Sequence, residues 1–242
     1  HALQNAAMLF KEIGDNQTSL VYQNRAEEIK KSVYDLCFDM ETNIFAERPD
    51  KTIYDQHTNI MAILTDAIHE SEQRALLDKI LNDKDLLQAT YYYRFYLFEA
   101  IKKVGAPELF DVALKPWEKM IEDNMTTTLE RFESIEKPTR SEVHPWSASP
   151  AYFYFNYLAG IQSVKNDFEE VRIAPAFGKL KTMVGSLPTS KGTIEFKLNR
   201  TKNKLSAEIT LPITMAGNLS WQGTEIPLKK GKNVYDIKNE IK

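Results

Sequence analysis

The chain has 242 residues, 43% of them hydrophobic and 27% charged, with a net charge of −3. That is an ordinary globular composition, with room for one large domain or two smaller ones. The dispersed basic residues exclude a nucleic-acid footprint, and no apolar run approaches the roughly 20 residues of a membrane span, so neither nucleic acid nor membrane is expected as a partner. The single cysteine, Cys37, excludes an internal disulfide and reads as a small buried apolar residue of a helix. A start at His1 rather than Met suggests a processed or truncated product, which leaves the compartment open.

Along the chain, residues 1 to about 163 carry helical periods. Leu3, Ala6, Ala7, Phe10 and Ile13 share one face of a first helix that Gly14 closes. A second helix is predicted from Thr18 to Asp39, forming an antiparallel hairpin with the first. Residues 43–50 read as a polar loop, and further helices are predicted at 58–69, 72–82, 89–104, 108–122 and 148–160. Pro107 suits a first helical turn, whereas Pro116 is expected to break or kink its helix near the middle. From about Phe168 onward the pattern changes to short β-type runs: VRIAP, KTMVGSLPT, GTIEFKLNR, KLSAEITLPI, GNLSWQG, TEIPL and NVYDIK. The turn signals between them predict a small antiparallel sandwich. Helices first and strands after imply two packed domains rather than βαβ units, with boundaries expected at 1–165 and 166–242.

The segment 123–147 has no sustained period and carries Thr126, Thr127, Thr128, Pro138 and Pro145. A loop of that length inside a helical region is usually functional. Glycoside hydrolysis needs carboxyl groups across a sugar ring, aromatic surface for its apolar faces and donors for its hydroxyls. Glu130 is the carboxylate candidate, with His144, Trp146 and Arg140 as binding candidates. Structural readings stand beside these. Thr127 and Glu130 have capping-box spacing, His144 before Pro145 suits a hydrogen-bonded structural residue, and Trp146 suits a core position. Ser147 has no visible base and acid for a triad. Asp55, His57, Asp66 and His69 match no zinc spacing, so neither metal nor cofactor is expected.

TTTLERFE, followed by Arg140-Ser141-Glu142-Val143-His144-Pro145-Trp146-Ser147-Ala148-Ser149-Pro150, resembles the bacterial α-L-rhamnosidase family of inverting glycosidases. In that family a Thr-Thr-x-x-Glu stretch precedes a variable loop and an Arg/Ser-x-x-His-x-Trp-Ser-Ala-x-Pro stretch. The resemblance extends upstream to Tyr54-Asp55-Gln56-His57, to residues 88–96 and to Pro116-Trp117-Glu118-Lys119-Met120, and downstream to VRIAPAFGKL and GSLPTSKGTIEFKL. It implies about half of an (α/α)6 toroid followed by a β-sandwich. Glu130 would be the general base and His144 a hydrogen-bonding contact to rhamnose. Trp117 and Tyr92 would be aromatic-wall candidates, Arg140 a further substrate contact, and Trp146 an anchor of the loop.

This chain has Leu129 where the family often has Trp, and Pro145 where it often has Ala. Nothing matches the family's general-acid segment early in the barrel, so the acid is expected upstream of His1 or lost. The implied substrate is a rhamnose-containing glycoside or oligosaccharide, and the implied partner is the missing N-terminal half of the barrel. Two other readings fit the residues: a non-catalytic helical scaffold with a β-sandwich that binds carbohydrate or protein, and another (α/α)6 glycosidase. An exposed apolar face is expected wherever the missing helices would pack.

Overall fold

Side-chain caps and a glycine mark several of the helix ends. α1 (Ala2–Glu12) ends before Gly14, whose φ of 87° suits glycine. α2 (Asn16–Cys37) begins on Asp15, whose carboxylate accepts the Thr18 N–H at 3.0 Å. The two pack as a hairpin: the Ser19 hydroxyl donates to the Ala7 carbonyl at 2.7 Å, and the Phe10 and Tyr22 rings lie 5.5 Å apart. The structure, a computed structural model, describes residues 1–131 and 140–238. They belong to two compact units, His1–Ala106 with Val112–Ser147, and Pro107–Asp111 with Ala148–Lys242.

After α2 the chain does not pass straight into a loop. β1 (Phe38–Asp39), at the expected end of the second helix, pairs antiparallel with β2 (Ile44–Phe45), inside the expected loop. Two polar brackets explain this. Asp39 accepts the Thr42 hydroxyl and the Tyr54 hydroxyl, each at 2.7 Å, and the Glu41 N–H at 3.0 Å, which closes the turn. Led by the bond from Thr42, these donors depress the Asp39 carboxyl to about 2. On the other side, the fully buried Asn59 accepts the Phe45 N–H at 2.8 Å and donates to the Phe45 carbonyl at 2.9 Å.

α3 (Gln56–Leu64) starts on Asp55, and α4 (Glu70–Asn82) starts on His69. Two of the four residues raised as a metal set are therefore helix caps, accepting from Thr58 N and Ser71 N, while Asp66 accepts from Lys103 and Gln73. Among the described residues no group of three or more His, Cys, Asp or Glu is arranged to hold a metal ion. α5 (Arg94–Val104) starts later than its period suggests, because Ala89 is already committed: its N–H donates to the Gln56 side chain at 2.8 Å, and its carbonyl accepts Arg94 Nε at 3.1 Å.

α6 (Phe110–Glu122) runs through Pro116 rather than breaking there. Ala113, Trp117 and Met120 are buried on one stripe of this helix, and Arg94 donates to the Ala113 carbonyl at 3.0 Å just before the proline. That burial offsets the roughly 3 kcal/mol a helical proline costs. α7 (Ser149–Phe153) follows a 3-10 turn at Pro145–Ala148 and passes into a π-helical turn at Tyr154–Leu158. The core of the first unit is Phe45, Ile60, Ile63, Leu77, Ile80, Leu97, Phe98 and Ile101, each fully buried. By contrast, α1 and α2 leave Leu9, Leu20, Val21 and Leu36 more than half exposed.

In the second unit, β3 (Ile161–Ser163), β4 (Glu170–Ile173), β8 (Ala216–Trp221) and β9 (Thr224–Leu228) form one sheet. The other sheet orders β10 (Gly231–Lys238), β7 (Lys204–Leu211), β6 (Gly192–Arg200) and β5 (Thr182–Thr189). Period-two burial on β6 and β7 places Ile194, Phe196 and Leu198 and Leu205, Ala207, Ile209 and Leu211 in the core. Val171 and Ile173 of β4 and Leu219 and Trp221 of β8 also lie in that core. All pairings are antiparallel except β4 with β8, which run parallel. The chain leaves the first sheet after β4, builds β5 to β7 in the other and re-enters alongside β4, so no tight hairpin sets their direction. Pro138 lies outside the described residues.

Two substitutions test these supports. Asn59→Ala leaves the Phe45 N–H and carbonyl without their side-chain partner, and a loss of about 2–4 kcal/mol is expected in denaturant unfolding. At Gly160 φ is 70°, and an added Cβ would lie 1.9 Å from the Ala174 carbonyl oxygen. Gly160→Ala should cost roughly 3 kcal/mol or more, read from the unfolding midpoint of the β unit.

Candidate active site

Glu130 does not cap a helix. The Thr127 hydroxyl donates to the Glu142 carbonyl and the Glu130 N–H donates to the Ser141 carbonyl at 2.9 Å, so the reciprocal capping bonds are not made. Instead, residues 127–130 run beside residues 141–144. The His144 N–H donates to the Thr128 carbonyl at 2.8 Å, and the Thr128 hydroxyl donates back to the His144 carbonyl at 2.7 Å. Ser147, fully buried, donates its hydroxyl to the Leu129 carbonyl, and at 2.9 Å to the His144 carbonyl. These bonds pin the backbone on both sides of residue 130, and Leu129 is buried beneath it.

The Glu130 side chain is only 6% exposed. Arg140 closes over it: Nε donates to one carboxylate oxygen at 3.1 Å, and a terminal guanidinium nitrogen donates to the other. This two-pronged bond holds the carboxyl below the ordinary glutamate range. Burial works in the opposite direction, and the nearby charges of Arg140, His144 and Arg131 reinforce the depression. Glu130 is therefore a desolvated but fully ionised carboxylate at neutral pH, a state in which it can accept a proton.

The aromatic residues divide by depth. Trp146 is 40% exposed and donates its indole N–H to the Glu130 carbonyl at 2.8 Å. Its ring lies 4.0 Å from the imidazole of His144 and 5.4 Å from Tyr92, which is half exposed. Trp146, expected in the core or as an anchor, thus ties the loop to the Glu130 backbone while staying 40% exposed. Trp117, expected at an aromatic wall, is buried at 9% exposure. It packs against Tyr91 and Phe98 and donates to the Ser147 carbonyl at 2.7 Å. The structure thus places Trp117 beneath the loop. Arg140, expected at the substrate, rests on Glu130.

Sequence reading missed the supports of this arrangement. Gln56, buried, links the Ile80 carbonyl, Gln88 and the Ala89 N–H. Arg94, also buried, ties Ala89 to α6. Together they hold the turn that carries Tyr91 onto Trp117 and Tyr92 onto Trp146. Thr128 and Ser147 were readable as polar residues in an irregular segment, but their backbone partners lie 16 and 18 residues away and show no sequence period.

Comparison with known proteins agrees with this architecture. Residues 1–158 match the model of the bacterial alpha-L-rhamnosidase 6 hairpin glycosidase domain, and residues 160–235 match the bacterial alpha-L-rhamnosidase C-terminal domain. A curated alpha-L-rhamnosidase of Alteromonas sp. (strain LOR) is 21% identical over 222 residues, which is 85% of this chain and 24% of that protein. The solved alpha-L-rhamnosidase of Dictyoglumus thermophilum superposes with a TM-score of 0.77 at 19% identity, over 98% of this chain and 31% of that one. The rhamnosidase of Bacillus sp. GL1 gives 0.79 at 22% identity, over 90% and 25%. The Streptomyces avermitilis alpha-L-rhamnosidase, solved with L-rhamnose, gives 0.70 at 16%, over 98% and 25%. The chain thus spans about a quarter to a third of the length of these relatives. With a family model covering its helical unit and a second covering its β unit, the chain belongs to the bacterial α-L-rhamnosidase family.

Proposed function

We propose that this chain is the C-terminal part of an inverting α-L-rhamnosidase and that Glu130 is its general base. The observation that supports this most directly is the state of Glu130: buried, ionised and held by a loop whose backbone also carries His144. The L-rhamnose seen in the Streptomyces relative makes a terminal α-L-rhamnosyl unit the substrate class to test first.

In an inverting reaction one water supplies the nucleophile. Its oxygen bonds to the anomeric carbon, its proton passes to the base, and the bond to the leaving group breaks as an acid protonates that oxygen. The two carboxyl groups stand about 6.5–9.5 Å apart to admit the water. Glu130 can act as the base because it is an anion at neutral pH; the fork from Arg140 extends that ionised range toward acid while lowering its proton affinity. His144 and the exposed faces of Tyr92 and Trp146 would orient the ring, His144 through hydroxyl hydrogen bonds and the aromatics through its C–H faces. Trp117 supports this surface from below and has no direct contact with sugar in this reading.

The general acid is assigned to the part of a six-hairpin barrel that would precede this chain. The same preceding helices would cover apolar side chains that α1 and α2 leave exposed.

In an enzyme carrying the complete barrel, Glu130→Gln should lower kcat by about 10²–10⁴-fold on an aryl α-L-rhamnoside. Circular dichroism and the unfolding midpoint should stay close to wild type. Near-normal turnover by that variant would remove Glu130 from the reaction. The 242-residue chain by itself should release no rhamnose from the same substrate. Robust hydrolysis by the isolated chain would place an acid within it and overturn the division of the site.

A further inference from the structure

We propose that Arg140 is a positioning residue for the reaction, a latch on the solvent side that fixes the Glu130 carboxylate in one orientation. This role rests on the reading of Glu130 as the base.

Three observations support it. First, the contact is a fork: Nε and a terminal nitrogen of one guanidinium each take a different carboxylate oxygen. A planar donor pair matched to a planar acceptor pair restrains rotation of the carboxylate as well as its distance, which a single lysine ammonium cannot do. Second, the burial of the partners is strongly unequal. The Glu130 side chain is 6% exposed and that of Arg140 is 71% exposed. The arginine approaches from solvent and covers a carboxylate that the loop has already buried. An exposed cation adds little to stability as a surface ion pair, so its value lies in what it does to the acid beneath it. Third, the backbone leaves that acid little other freedom. Glu130 N–H is held by the Ser141 carbonyl and Glu130 C=O by the Trp146 indole, so the fork restrains the remaining movement, that of the side chain.

Among the described residues, the charged groups that act on Glu130 are Arg140, His144 and Arg131, and the hydrogen bond from Arg140 is the largest influence holding its pKa down. The sign of the effect follows. A depressed folded-state pKa keeps the base ionised above that value and loses it as pH falls through it. Among the described residues, removing Arg140 leaves burial, which acts in the raising direction, against the weaker charges of His144 and Arg131. Loss of the base should then begin at a higher pH than in the wild type.

The role can be tested with Arg140→Met and Arg140→Lys, both made in the isolated chain and in the complete-barrel enzyme. In the chain, side-chain carboxyl ¹³C shifts are followed against pH, with the Glu130 signal assigned by its absence from Glu130→Gln. The expected result is a Glu130 titration that moves up in Arg140→Met and partly returns in Arg140→Lys, with amide spectra otherwise preserved. In the enzyme, Arg140→Met should lower kcat about 10–100-fold with little change in KM, and the acidic limb of its pH profile should move up with the titration. An unchanged Glu130 titration in a folded Arg140→Met chain would overturn the latch. So would wild-type kcat in Arg140→Met while Glu130→Gln is inactive, a result that leaves the base assignment standing. Full activity in Glu130→Gln removes the base and the latch together.

Discussion

A carboxylate taken out of water must recover the lost hydration from the protein or give up its charge. Glu130 recovers it from the guanidinium of Arg140, and so stays ionised although nearly all of its side chain is covered. The other features of the site serve this one pair. Residues 128–130 and 141–147 must run side by side for the arginine to reach the acid, and hydrogen bonds through Thr128, Ser141, His144 and Ser147 keep them so. The burial that would raise the Glu130 pKa without its partner is outweighed by the hydrogen bonds from that partner, which reaches it from the solvent side.

Beneath the loop, polar side chains rather than apolar contacts set the geometry. Trp117 and Trp146 each spend their indole N–H on a loop carbonyl, Ser147 for the first and Glu130 for the second. One ring is buried, so its role is support, and the other keeps an open face beside His144. Gln56 and Arg94 reach across helices to hold the turn before α5, which aligns Tyr91 and Tyr92 with those two tryptophans. Loss of any of these supports would free the turn that holds Tyr91 and Tyr92 against the two tryptophans.

The two units are stabilised differently. The β unit buries alternate residues of β6 and β7 in a continuous core, so its strands follow from a period of two. The helical unit is closed along α3, α4 and α5 but open along α1 and α2. The chain spans a quarter to a third of the length of its solved relatives.

Local physics was legible in the sequence. Periodicity located the helices and seven of the β-strands, because side chains that share a face recur at fixed intervals whatever they pack against. The irregular stretch around Glu130, with its clustered threonines, histidine and tryptophan, was visible as a departure from those periods. What the sequence could not show is every feature that depends on a distant partner. Pro116 stays within α6 because its neighbours are buried, and Trp117 is covered while Trp146 is open although both are tryptophans in polar surroundings. Arg140 meets Glu130 ten positions away, a pairing that follows no sequence period. Periods encode which face of an element is apolar, whereas depth and pairing arise only when elements pack, so those were decided by the tertiary structure.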